Sequence, residues 1–173
     1  MSLHLLSPHR RCAWFALGAL LCFLITACGQ AFAAPSPCLP RKFEGSNYII
    51  CTIDLRAFSL RLFWKDEKGQ PYGGFESLPR SLNGAPMAFA MNAGMYDPDL
   101  SPIGLYIEDG KTLKRANTAN GPGNFHLKPN GIFYFRAEDA GILITERFLS
   151  QKPAAEFATQ SGPMLVINGK IHP

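Results

Sequence analysis

Ile103-Gly104-Leu105-Tyr106-Ile107-Glu108-Asp109-Gly110 decides the fold class, because it reads as a strand running straight into a tight turn. The residues before Asp109 are mostly apolar. Asp-Gly then supplies the left-handed backbone that a two-residue hairpin requires. The same grammar repeats outward in both directions. Upstream, Met87 to Met91 is an apolar strand leading into Asn92-Ala93-Gly94, and Phe58 to Trp64 alternates in part at period two. Tyr48 to Ile53 is β-branched and apolar, and Asp66 to Pro71 is a polar turn. Downstream, Ile132 to Arg136 and Ile142 to Glu146 form a strand pair joined by Ala137 to Gly141, while Met164 to Ile167 runs into Asn168-Gly169 with Lys170-Ile171 returning. Phe75 to Leu82 is the one short stretch that suits a helix, and Pro79 limits it. No segment beyond residue 33 sustains a 3.6-residue period. The expectation is an α+β, sheet-dominated single domain, or an all-β one, with polar Asn/Gly loops at its strand ends.

The N-terminal end has a different character. His4, His9, Arg10 and Arg11 are basic, and Ala13 to Ala27 is an uncharged apolar run. A bilayer span takes about 20 residues, so this run suits the apolar region of an export signal better than a retained membrane anchor. Ala31-Phe32-Ala33 places small residues where a signal peptidase reads them, which predicts a signal peptide over 1–33. Ile25-Thr26-Ala27-Cys28 competes as a lipoprotein signal over 1–27, with Cys28 lipidated. Export to the periplasm or beyond is expected on either reading. Pro35 to Pro40 holds three prolines, so residues 34–41 read as a linker and 42–173 as the working domain.

Composition narrows the function. The whole chain of 173 residues carries 17 basic and 13 acidic side chains. Without residues 1–33 the balance is 15 to 13, with no basic block and no interleaving of basic and aromatic residues. Nucleic acid is therefore not an expected partner. Contact with a membrane is expected only through the signal segment or a lipid anchor at Cys28. Of five cysteines, only Cys38 and Cys51 lie past the signal on both readings, and an even pair in an oxidising compartment predicts one disulfide. Two cysteines are too few for a zinc site. No metal and no cofactor is expected, since no zinc-protease, phosphate-loop or dinucleotide fingerprint occurs.

Four polar loops punctuate the strands, at Asn92 to Tyr96, Asn117 to Phe125, Pro129 to Gly131 and Gln160 to Met164. Glycine lets backbone approach a ligand closely, and Asn or Gln offers both a donor and an acceptor, so such loops suit hydroxyl-rich ligands. The same residues also dominate ordinary turns for conformational reasons. Ser161 lies in Gln-Ser-Gly rather than a nucleophile elbow, and only His126 and His172 are available beyond the signal as its base, which argues against a serine hydrolase. Most carboxylates sit in turns, and Asp97 and Asp99 stand apart because they directly follow the Asn92 loop.

Phe89-Ala90-Met91-Asn92-Ala93-Gly94-Met95-Tyr96, Pro102-Ile103-Gly104-Leu105-Tyr106, Asn124-Phe125 with Pro129-Asn130-Gly131-Ile132-Phe133, and Thr159-Gln160-Ser161-Gly162-Pro163-Met164-Leu165 occur in that order. Together they resemble the phosphodiester glycosidase family, over about residues 38–173. The resemblance implies hydrolysis of a sugar 1-phosphodiester of the N-acetylglucosamine type in the cell envelope, with a carbohydrate or sugar phosphodiester as partner. It implies catalytic roles for Asn92, Asp97 and Gln160. Substrate binding falls to Gly94, Met95, Asn124, Asn130, Ser161 and Gly162. The family pattern continues with an arginine-containing strand and an Asp-Gly-x-x-Ser-type motif, and this chain ends at Pro173 with neither. A domain lacking its C-terminal part is therefore expected. A non-catalytic glycan-binding module or an inactive truncated member is the alternative.

Overall fold

The computed structural model describes residues 2–4 and 36–172. The expected cleavage site, the apolar run before it and Cys28 lie outside the described residues. The described residues fall into two compact units, one of residues 2–4 with 54–172 and one of residues 36–53.

The smaller unit is a hairpin. Strands β2 (Cys38–Phe43) and β3 (Ser46–Cys51) pair antiparallel through a two-residue Glu44-Gly45 turn, both residues left-handed. Cys38 faces Cys51 and the two are disulfide-bonded, as expected. β2 begins inside the stretch read as a linker. Pro40 is tolerated there because β2 pairs on one side only, and an edge strand can spare an N–H.

The larger unit is built on a five-stranded antiparallel sheet. Two earlier strands, β1 (Ser2–His4) and β4 (Arg61–Phe63), pair with each other, as do the short β5 (Ser81–Leu82) and β6 (Ala85–Pro86). The main sheet comprises β7 (Tyr106–Glu108), β8 (Lys111–Lys114), β9 (Gly131–Arg136), β10 (Asp139–Ile144) and β11 (Phe157–Ser161). Their order across the sheet is β10-β9-β11-β7-β8. Helix α1 (Thr145–Gln151) follows β10 directly, and a last hairpin pairs β12 (Val166–Ile167) with β13 (Lys170–Ile171).

Period-two alternation sends the sheet's side chains to two buried faces. Tyr106, Phe135 and Phe157 pack with Leu62 on one face, where the Phe135 and Phe157 rings stack at 4.9 Å. Leu105, Ile107, Ile132 and Ala158 pack with Phe148 of α1 on the other. The Asp109-Gly110 turn forms as expected, with φ of 48° and 73°, and Asn168-Gly169 does the same at 51° and 75°.

Several expectations differ from the structure, beginning with strands shorter than read: Phe58 to Trp64 is a strand only over Arg61–Phe63, Ile103 to Glu108 only over Tyr106–Glu108, and Met164 to Ile167 only over Val166–Ile167. Met87 to Met91 is not a strand, because among its described backbone groups only the Met87 N–H is tied to another segment, at the Arg80 carbonyl. Phe75–Ser77 is a single 3-10 turn rather than a longer helix. The second strand of the central hairpin ends at Ile144, and Thr145-Glu146 open α1 instead of closing the strand. That strand turns back earlier than expected, so Asp139 faces Arg136 across a two-residue Ala137-Glu138 connection.

Candidate active site

The ends of β9, β10 and β11 meet at a knot of buried polar side chains. Gln160, on the α1-facing side of β11, is 1% exposed and Asn130, just before β9, is 0% exposed. Thr145, the first residue of α1, is equally buried. The Gln160 Oε1 accepts from the Leu105 and Asn117 backbone N–H groups, both at 2.9 Å. Its Nε2 donates to the Asn117 carbonyl at 2.8 Å and to Thr145 Oγ1 at 3.2 Å. Thr145 Oγ1 in turn donates to Asn130 Oδ1 at 2.7 Å, and Asn130 Nδ2 reaches the Phe125 carbonyl at 3.3 Å. A buried amide left without partners would cost about 1–3 kcal/mol, so this closure matters energetically.

Glycines make the knot possible. A Cβ on Gly104 would collide with the Gln160 amide and come within 2.6 Å of Phe125 Cζ. A Cβ on Gly162 would meet the Phe125 carbonyl at 2.6 Å and Asn130 Cβ at 2.9 Å. The Met164 N–H donates to the Pro129 carbonyl at 2.9 Å, so the Asn124–Gly131 and Gln160–Met164 loops are bound directly to each other.

On the opposite face of the sheet, these same loops border a cleft of about 580 Å³. Gly131 and Phe133 of β9, with Thr159 and Ser161 of β11, line it from the sheet. Ile142 and Ile144 of β10 and the segment Gly162 to Asn168 flank these, Ala93 of the Asn92 loop contributes, and Arg147 of α1 is the one charged side chain among the described lining residues. No carboxylate is among those lining residues.

The structure therefore sorts the residues singled out in the sequence. Ser161 and Gly162 line the cleft. Gln160 and Asn130 stand behind it, with the Gln160 amide wholly engaged by protein groups, which is a positioning geometry rather than a contacting one. Asn124 is exposed on the loop that packs against Gly162. Asn92 instead lines a separate hollow of about 70 Å³ with Tyr96 and Leu100. Asp97 is exposed in a turn closed by its N–H to the Ser101 carbonyl and by the Leu100 N–H to its own carbonyl. Gly94 and Met95 are half-buried, and the Met95 carbonyl accepts from the Ile103 N–H at 3.2 Å.

Sequence reasoning missed Thr145, Asn117, Gly104 and Arg147. Gly104 had a signal, since an isolated glycine inside a strand pattern marks a close approach of other atoms. Asn117 was named only as the start of a polar loop, and Thr145 and Arg147 had no signal, because their roles depend on distant segments.

A family model for phosphodiester glycosidases matches residues 86–173, which takes in both bound loops, the knot and the cleft. The chain belongs to the phosphodiester glycosidase family. It is also 37% identical over 123 residues to the uncharacterized protein YigE of Escherichia coli strain K12, an alignment covering 70% of this chain and 48% of YigE. The chain thus spans about half the length of the curated relative it matches. No solved structure matches it significantly. Within this phosphodiester glycosidase domain, the knot lies in the part the family model covers, whereas the disulfide hairpin lies ahead of it.

Proposed function

We propose that the cleft hydrolyses a sugar 1-phosphodiester, breaking the bond between the anomeric carbon and the phosphate oxygen. Water supplies the hydroxyl that ends on the sugar, and its remaining proton ends on the departing phosphomonoester. The leaving group's second pKa is about 6, so it departs with less help from an acid than an alcohol needs. The demand on the site is to hold the sugar and to stabilise the oxocarbenium-like transition state.

The observation that carries this reading is the fastening of the Asn124–Gly131 and Gln160–Met164 loops to each other at the cleft, with the buried Gln160–Thr145–Asn130 knot behind them. Ser161 and the Gly162 backbone face the sugar, and Arg147 complements the single negative charge of the diester. Asn92 and Asp97 lie outside the cleft, so the reading assigns neither of them a step. The disulfide between Cys38 and Cys51 supports action in an oxidising compartment such as the cell envelope.

The absence of a carboxylate among the described lining residues favours a second reading, a glycan-binding module without catalysis. Incubation of the chain with a panel of sugar 1-phosphodiesters, including those of N-acetylglucosamine, separates the two. Free sugar released by the wild type and lost in Ser161→Ala is the expected result. Saturable binding with no sugar released from any diester would establish the second reading instead.

A further inference from the structure

The cleft is lined mainly by aliphatic side chains, and they do not stop at its mouth. Ile142, Leu165 and Val166 line it while remaining 62%, 70% and 54% exposed. Aliphatic surface left in water in one contiguous track marks a surface built to be covered. Arg147 lies on the same cleft, and its guanidinium has no salt-bridge partner among the described residues. A cation beside an aliphatic track is complementary to an anion carrying a hydrocarbon chain. A volume of about 580 Å³ also lies within the ~300–1,000 Å³ range of pockets that enclose an extended small molecule.

We propose that the alcohol side of the substrate is an aliphatic, lipid-like chain, with its phosphate on Arg147 and its hydrocarbon along Ile144, Ile142, Leu165 and Val166. This specificity rests on the hydrolytic reading above, but its binding component is measurable separately. A polar alcohol such as glycerol or a second sugar would leave the track uncovered. A second copy of this chain would cover it without needing Arg147.

The test uses the full chain and N-acetylglucosamine 1-phosphodiesters of ethanol, butanol and octanol, all below their micelle-forming concentrations. Binding is measured calorimetrically, and sugar release is followed in parallel. Each methylene fully removed from water is worth about fourfold in affinity, so partial coverage predicts a gain of at least about fiftyfold from ethyl to octyl. Leu165→Asp, at an exposed position, is expected to remove most of that gain. Arg147→Ala is expected to weaken all three esters by the same factor. Equal affinity for the ethyl and octyl esters, or no binding of either, overturns the proposal. So does a dimer in sedimentation that the octyl ester does not dissociate. A clear chain-length gain with no sugar released leaves this proposal standing and removes the hydrolytic one. Sugar release without a chain-length gain does the reverse.

Discussion

At the scale of single residues, Gly104 and Glu108 show how closely the sheet is filled on either side. Gly104→Ala would drive a methyl group into the Gln160 amide and the Phe125 ring, both buried. Overpacking a tight site typically costs about 1–3 kcal/mol, and displacing Gln160 adds the loss of buried hydrogen bonds. The variant is expected to lose at least about 2 kcal/mol of stability in urea unfolding, with its m-value unchanged. An unchanged midpoint would mean that the knot yields freely. Glu108 lies on the other side of the sheet, where its Oε2 accepts from the Tyr106 hydroxyl at 2.6 Å. Burial pushes its carboxyl above the usual carboxylate range, outweighing that hydrogen bond, and the neighbouring Asp109 pushes it the same way. Tyr106 is likewise raised, first by burial and then by this bond. A carboxyl whose pKa is higher folded than unfolded binds more protons when folded. Its contribution is therefore complete below the unfolded pKa and is lost as pH rises through the folded one. Glu108→Gln keeps an acceptor for Tyr106 and removes the titration. The variant is expected to lose less stability than the wild type as pH rises from about 4 to 7, and to be at least as stable at pH 7. Parallel thermal melts across that range check this, and superimposable profiles would contradict it.

At the scale of elements, turn chemistry accounts for much of the fold. Glu44-Gly45, Asn83-Gly84, Asp109-Gly110 and Asn168-Gly169 each place two consecutive left-handed residues between short strands. That geometry matches the twist of paired strands, and glycine at the second position adopts it without a Cβ penalty. The first hairpin depends on more than its turn. Every residue from Leu39 to Ile50 is exposed, and two strands without a packed face are marginal in water. Its disulfide closes a sequence separation of 13, and a loop of that order restrains the unfolded ensemble by about 3 kcal/mol. Reduction, or the Cys38→Ser/Cys51→Ser double variant, is expected to abolish amide protection over residues 39–50 in hydrogen exchange. Retained protection would show that packing, not the bond, holds the hairpin. Helix α1 illustrates the reverse case. Its seven residues are too few for a visible period, and it persists because Thr145 and Phe148 turn inward, one into the knot and one against Ile132 and Ala158.

At the scale of the larger unit, the sheet order puts β9 and β11 at the centre, with both faces covered, and leaves β10 and β8 as edges. Hydrogen exchange should follow that order. Amides of Phe157–Ser161 are expected to exchange only with global unfolding, while those of the terminal β12–β13 hairpin exchange orders of magnitude faster. Uniform protection across the two would contradict the placement of the core. The strand-and-turn content was legible locally, since alternation, β-branching and the Asp-Gly and Asn-Gly pairs act within a few residues. The disulfide was expected from the cysteine count and an expected export signal, and the family from four ordered motifs. The order of strands was not legible, because pairing β11 between β9 and β7 depends on which apolar faces fit together over distances of 22 to 53 residues. The roles within the motifs were not legible either. Asn130 and Gln160 looked like residues that grip a ligand, and only the tertiary structure decided that they face inward. Once strands from separate parts of the chain close over them, their polar groups must be satisfied by protein, and the Gly104, Asn117 and Thr145 that satisfy or admit them lie 15 to 56 residues away.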